Sequence, residues 1–387
     1  ILAFTGRGKK APGELLYEQE FANSEYIKQG KGWKDIYFDF LKNAQDANPG
    51  RSIDNIRTLS LAVAGPVENN TVTFTSIKPA WTIDGNALAD ELNIENVKLM
   101  NDFVANGYGL LTLDESVDCK TVQANPKRKG GPIACVGPGT GLGECYLTTH
   151  KGDDEYVAYP SEGGHTEFAP RNELEFELLQ YLMKKFEQRH RVSVERVISG
   201  RGLANVFEFL CQHKDFQKKV SPAIKAEFEA AGDLQGKVVG ENVDNDPVCK
   251  KAMDIFVSAY GSEAGSVCLK FLPFGGLYLA GGLTPKNLKH IGHLDEAALA
   301  KQSIRNAVSE ALMHQTTDGN FIHSFLDKGR LSFLLEQIPV YAVMDQSLGQ
   351  RGAHYVAVKL LKGALEAAEG NQGAAAVEEG EEKGEEV

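Results

Sequence analysis

The sequence contains no long apolar run and no paired cysteine motif. No stretch approaches the ~20 consecutive apolar residues that a membrane helix needs, so no membrane partner is predicted. Six cysteines are scattered through 387 residues, and none forms a C-x-x-C pair. That scatter excludes a disulfide framework and a cysteine-based zinc site. We therefore expect reduced thiols, a cytoplasmic location and no protein-held metal.

Positive charge is also scarce. Lys and Arg number 41 against 53 Asp and Glu, which gives a formal net charge of −12. Proteins that bind nucleic acid neutralise phosphates with clustered Lys and Arg, so no nucleic-acid partner is predicted. Small anionic ligands are still allowed, because a glycine-rich loop binds phosphate through backbone N–H groups.

Both ends of the sequence differ in character from its middle. The first residues, ILAFTGRGKK, lack the order and cleavage site of a signal peptide and are typical of a strand entered in mid-course. We expect residues upstream of them to be missing. The segment 370–387 is rich in Gly, Ala and Glu and has few large apolar groups, so we expect it to be disordered.

Short apolar runs alternate with longer amphipathic stretches. The predicted strands begin at Thr58, Val97, Pro132, Gly276 and Pro339. The predicted helices begin at Trp33, Asn172 and Pro247. Strands that alternate with helices predict the α/β class, with largely buried sheets.

A glycine-rich motif, VGPGTGLG, occupies residues 136–143 between two apolar runs and predicts a strand–turn–strand. Its alternate glycines are Gly137, Gly139, Gly141 and Gly143. They allow the backbone to approach a phosphate, and Thr140 adds a hydroxyl donor. The motif lacks the G-K-[ST] of a Walker loop and the register of a dinucleotide fingerprint. A purely structural hairpin is the alternative.

The motif VKLMNDF, residues 97–103, places Asn101 and Asp102 where a predicted buried strand ends. Open α/β sheets bind ligands at the carboxyl ends of their strands. A carboxylate there suits proton abstraction from an alcohol. The alternative is a helix N-cap, which Asn and Asp commonly form.

Two further polar segments are candidates for hydroxyl recognition. In SEGGHTEF, residues 161–168, two glycines bring Glu162 and His165 together on a tight turn. Such groups can bind vicinal hydroxyls, whereas a Glu and one His are too few for a zinc site. Glu195 precedes an apolar stretch and a predicted Ser-Gly-Arg-Gly turn. An ordinary polar turn and a solvated charge are the respective alternatives.

The segment GGLYLAGGLTPKNL, residues 275–288, predicts a strand that ends at Gly281 and Gly282. Thr284 and Pro285 are predicted to be the N-cap and first residue of the next helix. A nucleotide can lie against such bare backbone and the positive helix terminus. A simple strand–helix turn is the alternative.

The order NDF, GPGTGLG, EGGH, ERVISG and LAGGLTP resembles the bacterial-type glucokinases of the hexokinase/actin-like superfamily, from Ser60 to Tyr355. The resemblance implies a two-domain actin-like ATPase (ribonuclease H-like) fold with a cleft. Its small α/β domain would comprise residues 1–112 and 350–368, its large one residues 113–349. Glucose would be phosphorylated at its 6-hydroxyl by ATP with Mg²⁺, giving glucose 6-phosphate and ADP, and a homodimer is allowed.

The resemblance also implies roles for the motifs. Asp102 is the general base, and the other sugar-binding residues are Asn101, Glu162, His165 and Glu195. The glycine motif and the Gly281–Gly282 turn bind ATP. The family's opening D-x-G-G-T loop is absent, and the region before Trp81 matches the family loosely. Sugar kinases of the ROK type carry a cysteine-rich zinc motif soon after an EGGH-like turn. A ROK-type kinase is therefore disfavoured here, because no cysteine lies between Cys145 and Cys211. A non-catalytic sugar sensor is the alternative from another class.

Overall fold

The computed structural model describes residues 2–4, 15–50, 56–74, 80–150, 155–292 and 319–382. The chain divides into two compact units. The first unit consists of Ile1–Thr112 and Ser347–Val387, and the second consists of Leu113–Gln346. The first unit is thus assembled from the two ends of the chain, whereas the second is continuous.

In the described residues of the first unit, the strands form three pairs. The strands are β1 (Leu2–Phe4), β2 (Leu15–Glu18), β3 (Thr58–Val63), β4 (Thr71–Phe74), β5 (Trp81–Asp84) and β6 (Asn96–Asn101). Strands β3 and β6 are parallel, and the pairs β1–β2 and β4–β5 are antiparallel. The strands predicted from Thr58 and Val97 are therefore confirmed. The segment 5–14 after β1 lies outside the described residues.

The helices of the first unit are α1 (Asn23–Lys28), α2 (Trp33–Ala47), α3 (Gly85–Leu92), α4 (Asp102–Leu110) and the C-terminal helix (Leu348–Glu382). The C-terminal helix packs against α4 at small residues. A Cβ at Gly352 would overlap the carbonyl oxygen of Ala105, and one at Gly109 would overlap that of Leu348. The two helix backbones therefore touch, and this contact holds α4 in place.

The C-terminal helix continues into the segment 370–387, for which the sequence predicts disorder. Its backbone is helical as far as Glu382, and residues 383–387 lie outside the described part of the chain. Ala and Glu are strong helix formers, so their local preference favours continuation of the helix that precedes them. The disorder of the tail stays a prediction.

In the described part of the second unit, the strands form one mixed sheet. Its strands are β7 (Cys119–Gln123), β8 (Ile133–Pro138), β9 (Leu142–Thr149), β10 (Tyr156–Ser161), β11 (Gly276–Leu279) and β12 (Val340–Val343). Their order is β10-β9-β8-β11-β12-β7. Strands β8, β11 and β12 are parallel, while β7, β9 and β10 pair antiparallel with their neighbours. The central strands are buried on both faces, which explains their continuous apolar sequence.

The described residues of the second unit also form helices. They are α5 (Glu115–Asp118), α6 (Glu173–Lys185), α7 (Gly200–Gln212), α8 (Pro222–Ala230), α9 (Gln235–Glu241), α10 (Pro247–Phe271), α11 (Leu283–Lys286), α12 (Leu288–Ile291), α13 (Phe321–Leu326) and α14 (Ser332–Leu335). Helix α10 is buried along most of its length, and its Tyr260 hydroxyl donates to the Val136 carbonyl at 3.2 Å. The helices predicted from Trp33, Asn172 and Pro247 are confirmed.

None of the helices in the described residues is long and apolar enough to cross a membrane. All six cysteines lie in the described residues, and no disulfide joins them.

Candidate active site

In the first unit, β6 ends at Asn101 and α4 begins at Asp102. The Asn101 Oδ1 atom accepts hydrogen bonds from the amides of Phe103 (2.9 Å) and Val104 (3.3 Å). Its Nδ2 donates to the Gly65 carbonyl at 3.2 Å. Asn101 is therefore the N-cap of α4, and Gly65, which the sequence did not single out, orients it.

Asp102 is the first residue of α4, and its side chain is exposed. Its Oδ1 also accepts from the Phe103 amide at 3.0 Å. Because Asn101 already accepts from two helix amides, the cap does not depend on Asp102. A carboxylate at this position interacts favourably with the positive end of the helix dipole.

In the second unit, the glycine hairpin (residues 137–143) joins β8 to β9, as predicted. The Gly139 amide donates to the Gly141 carbonyl at 2.7 Å, which closes the turn. A Cβ built at Gly139 would meet no atom within 4 Å, so the tip of the turn faces open space. Thr140, next to it, is exposed. The hairpin therefore presents bare backbone and a hydroxyl to a ligand.

The turn that contains Gly281 and Gly282 lies directly against this hairpin. The Ala280 amide donates to the Val136 carbonyl at 2.9 Å. Gly281 has a φ of +76°, and a Cβ there would lie 2.5 Å from the Pro138 carbonyl oxygen. The two segments predicted to bind ATP are thus brought together in one unit.

The prediction that Thr284 and Pro285 open the next helix as N-cap and first residue is wrong. Helix α11 begins at Leu283, and its N-cap is Gly282. The Thr284 side chain is buried, and its hydroxyl donates to the Ala280 carbonyl at 2.6 Å. Tyr260 lies 3.2 Å away on the other side. A threonine hydroxyl that bonds back by four residues belongs inside a helix.

The EGGH turn (residues 162–165) follows β10. Gly163–His165 form a short 3₁₀ helix, and the His165 amide donates to the Glu162 carbonyl at 2.9 Å. The side chains of Glu162 and His165 are both exposed. A Cβ at Gly164 would overlap the Leu142 carbonyl oxygen, so the turn packs directly on the start of β9.

Glu195 connects the EGGH turn to the glycine hairpin. Its Oε2 accepts from the Leu142 amide at 3.1 Å, and its Oε1 lies 3.8 Å from His165 Nδ1. The Val194 amide before it donates to the Thr166 carbonyl at 2.8 Å. The Glu195 side chain is only 24% exposed, so it is not the solvated charge of the alternative interpretation. One carboxylate touches both predicted ligand-binding segments.

Two residues that the sequence analysis did not select also support this region. Ser199 caps α7 by accepting from the Gly202 amide at 2.9 Å, so the predicted Ser-Gly-Arg-Gly turn is instead a helix start. The next amide, of Gly200, donates to the Gly139 carbonyl at 2.8 Å. Glu144 on β9 is buried beneath the EGGH turn. The serine was a detectable capping signal, whereas nothing local marks Glu144.

Comparisons with known proteins identify the family of this chain. The family model described as Glucokinase matches residues 14–302 and 303–360. A glucokinase from Nostoc sp. is 39% identical over 308 residues, which cover 77% of this chain and 81% of that protein. A glucokinase from Helicobacter pylori is 31% identical over 296 residues, covering 76% of each chain.

Solved structures share the fold. A glucokinase from an Antarctic psychrotroph has a TM-score of 0.61 at 23% identity and covers 89% of this chain and 90% of that one. A Balamuthia mandrillaris glucokinase in complex with glucose has a TM-score of 0.62 at 18% identity and covers 90% of this chain and 87% of that one. The predicted α/β fold is therefore confirmed, and it is the fold of these glucokinase structures. By the family model and by these relatives, the chain belongs to the glucokinase family.

Proposed function

We propose that this protein transfers the γ-phosphoryl group of ATP to the 6-hydroxyl of glucose, giving glucose 6-phosphate and ADP. The observation that carries the proposal is the position of Glu195, whose carboxylate contacts both the glycine hairpin and the EGGH turn. Family membership supports it. A ROK family glucokinase from Streptomyces griseus, with a TM-score of 0.50, was solved in complex with glucose and AMPPNP.

We assign the sugar hydroxyls to Glu162, His165 and Glu195. Carboxylates accept hydrogen bonds, while an imidazole donates or accepts according to its tautomer. Glu162 and His165 are exposed, and Glu195 keeps one oxygen toward His165. Such a set discriminates strongly, because an epimer would leave a polar group of the protein unpaired.

We assign the general base to Asp102 and the adjacent sugar contact to Asn101. In this role Asp102 takes the proton of the 6-hydroxyl as that oxygen attacks the γ-phosphorus. Asn101 fixes the start of α4 through its two amide bonds and its bond to Gly65. The base is therefore carried on a rigid helix terminus rather than on a loop.

We assign the ATP phosphates to the glycine hairpin and the neighbouring turn at Gly281 and Gly282. The open space at Gly139 fits a group that approaches the backbone. Mg²⁺, when bound to the phosphates, neutralises charge that develops during transfer. The described residues contain no cluster of three or more His, Cys, Asp and Glu that could hold a metal. We accordingly assign no residue to the metal.

We place the protein in the cytoplasm, because the scatter of its six cysteines along the sequence is typical of reduced thiols. The homodimer stays a prediction, which sedimentation of the purified protein would test.

The test is kcat/KM for a panel of hexoses with the full-length protein and two variants. Glucose should be phosphorylated well, and galactose and fructose much more slowly. Asp102→Asn should lower kcat by about 10²- to 10⁴-fold, the usual contribution of a positioned base, and leave glucose binding nearly unchanged. Asp84→Asn is the matched control, since Asp84 caps α3 in the same unit.

If glucose is not phosphorylated better than the other hexoses, the proposed function is wrong. If the two variants lose equal activity, or neither does, the assignment of the base is wrong.

A further inference from the structure

Ser199, at the start of α7, is polar but almost completely buried, with 1% of its surface exposed. Its hydroxyl donates to the Glu195 carbonyl at 2.8 Å, and the same oxygen accepts from the Gly202 amide at 2.9 Å. Capping of α7 needs only the second of these bonds. The first holds the main chain of Glu195, whose carboxylate lies between the glycine hairpin and the EGGH turn.

The main chain around Glu195 is held from two sides. On one side, the Val194 amide donates to the Thr166 carbonyl at 2.8 Å. On the other side, Asn205 of α7, which is also buried, donates from Nδ2 to the Arg196 carbonyl at 3.0 Å. Together with the Ser199 hydroxyl, these bonds tie Glu195 to the segment after the EGGH turn and to the first two turns of α7.

The start of α7 also contacts the glycine hairpin through its backbone. The Gly200 amide, next to Ser199, donates to the Gly139 carbonyl at 2.8 Å. A Cβ at Gly236 of α9 would lie 2.1 Å from the Gly200 carbonyl oxygen, so α9 packs directly on the same residue. A change at Ser199 can therefore reach the hairpin as well as Glu195.

We propose that Ser199 is a positioning residue for both substrates: it holds Glu195 through the carbonyl of that residue and, as the cap of α7, keeps Gly200 against the hairpin. The inference rests on the proposed function for its link to glucose and ATP, but not for its effect on the contacts. Loss of the hydroxyl leaves the Glu195 carbonyl without this donor. Glu195 can then shift, and with it the oxygen beside His165 and the oxygen that accepts the Leu142 amide.

The first test needs no substrate. Ser199→Gly removes the hydroxyl but introduces a residue that helix N-caps accept with little loss of stability, so α7 should still form. Amide hydrogen exchange at Leu142 reports the bond of this amide to Glu195 Oε2. Its protection factor should fall about fivefold in Ser199→Gly, the factor that one ordinary hydrogen bond contributes. Ser199→Thr keeps a hydroxyl and should keep the wild-type protection.

The second test measures KM for glucose and for ATP. Both should rise about fivefold in Ser199→Gly. The kcat should stay close to that of the wild type, because the proposed base, Asp102, lies in the other unit. Asn172→Ala is the matched control, since Asn172 caps α6 of the same unit by accepting the Glu175 amide at 2.9 Å. This variant should lower Tm and change neither KM.

A double-mutant cycle shows whether Ser199 acts through Glu195. In a Glu195→Ala background, Ser199→Gly should raise neither KM further, because the carboxylate that it positions has been removed. Ser199→Ala also lacks the hydroxyl and gives the same comparison if Ser199→Gly does not fold.

The inference is overturned if the hydroxyl-free variants keep wild-type protection at Leu142, or if they leave both KM values unchanged. It is also overturned if Asn172→Ala raises the two KM values equally, or if the effects of Ser199→Gly and Glu195→Ala multiply. If the wild type does not phosphorylate glucose, the proposed function fails, and the exchange test alone decides whether Ser199 holds Glu195.

Discussion

Glu195 makes two contacts, so its removal should affect more than the binding of sugar. It accepts the Leu142 amide of the glycine hairpin and lies beside His165 of the EGGH turn. Removal of this carboxylate leaves a partly buried amide without its acceptor, which costs about 1–3 kcal/mol. The hairpin and the turn should both be disturbed.

We therefore expect Glu195→Ala to raise KM for ATP as well as for glucose, each by roughly tenfold or more. His165→Ala should raise KM for glucose only, because His165 lies beside Glu195 Oε1, whereas the Leu142 amide of the hairpin donates to Glu195 Oε2. Steady-state kinetics with each substrate varied in turn would check this. Glu167→Ala, at an exposed glutamate of the same segment, is the control and should change neither constant. An unchanged KM for ATP in Glu195→Ala would contradict the bridging role.

A substitution at Gly139 distinguishes a steric effect on ATP binding from an effect on folding. A Cβ there meets nothing in the protein, so Gly139→Val should leave Tm nearly unchanged. The added branch stands where we place a phosphate and should raise KM for ATP by about tenfold or more, with little change for glucose. Thermal melts and kinetics would be compared with Gly240→Val, another open position in the same unit. Equal changes in both KM values would indicate misfolding instead.

Single residues show where sequence reasoning is sufficient and where it is not. The Asn101–Asp102 pair was recognisable, but only the structure divides it into a cap and a remaining carboxylate. Glu195 contacts Leu142, about 50 positions away, and Glu144 contacts Gly163, about 20 positions away. Contacts between such distant positions leave no local pattern in the sequence. Thr284 was misassigned because its partners, Ala280 and Tyr260, are known only once the fold is known.

At the level of elements, the crossing of α4 and the C-terminal helix has no room for a side chain at Gly352. Gly352→Val should lower the stability of the protein by several kcal/mol, because overpacking of this kind typically costs about 1–3 kcal/mol and here the obstacle is backbone. Gly363→Val, in the same helix but facing open space, is the matched control. Thermal melts of the two variants should differ clearly. Similar melting temperatures would mean that the two helices do not pack as described.

The elements themselves were largely predictable, and the reason is physical. Buried parallel strands such as β8 and β11 require continuous apolar runs, and long helices such as α10 require apolar periodicity with a cap. The start of α7 was missed because its two glycines are more typical of a turn. Their use becomes clear only from the close approach of Gly200 to Gly139. Tertiary contact overrides local preference at such positions.

For the whole molecule, the raised pKa of Glu144 predicts how stability depends on pH. Folding raises this pKa from 4.5 to about 8, so between these values the folded state holds a proton that the unfolded chain has lost. The contribution of Glu144 to stability therefore falls as pH rises through this window and is level above it. Glu144→Gln lacks this dependence. Its Tm relative to the wild type should increase steadily from about pH 5 to about pH 8, as measured by thermal melts.

A constant difference in Tm across that range would mean that Glu144 keeps an ordinary pKa in the folded protein. Glu208→Gln is a suitable control, since Glu208 is paired with Lys185 at the surface of the same unit. The difference in Tm between Glu208→Gln and the wild type should not increase with pH in this way.

The division of the chain into two units also predicts the order in which they fold during translation. The second unit is one continuous segment, so it can fold while the remainder is still being translated. The first unit needs the C-terminal helix, whose contact with Ala105 and Gly109 holds α4 and with it Asp102. A nascent chain released before Ser347 would therefore keep a folded second unit, with the glycine hairpin and the EGGH turn, but would lack the support of α4. Asp102, the residue proposed as the base, would be the last to be positioned. Incomplete translation products should therefore have no kinase activity.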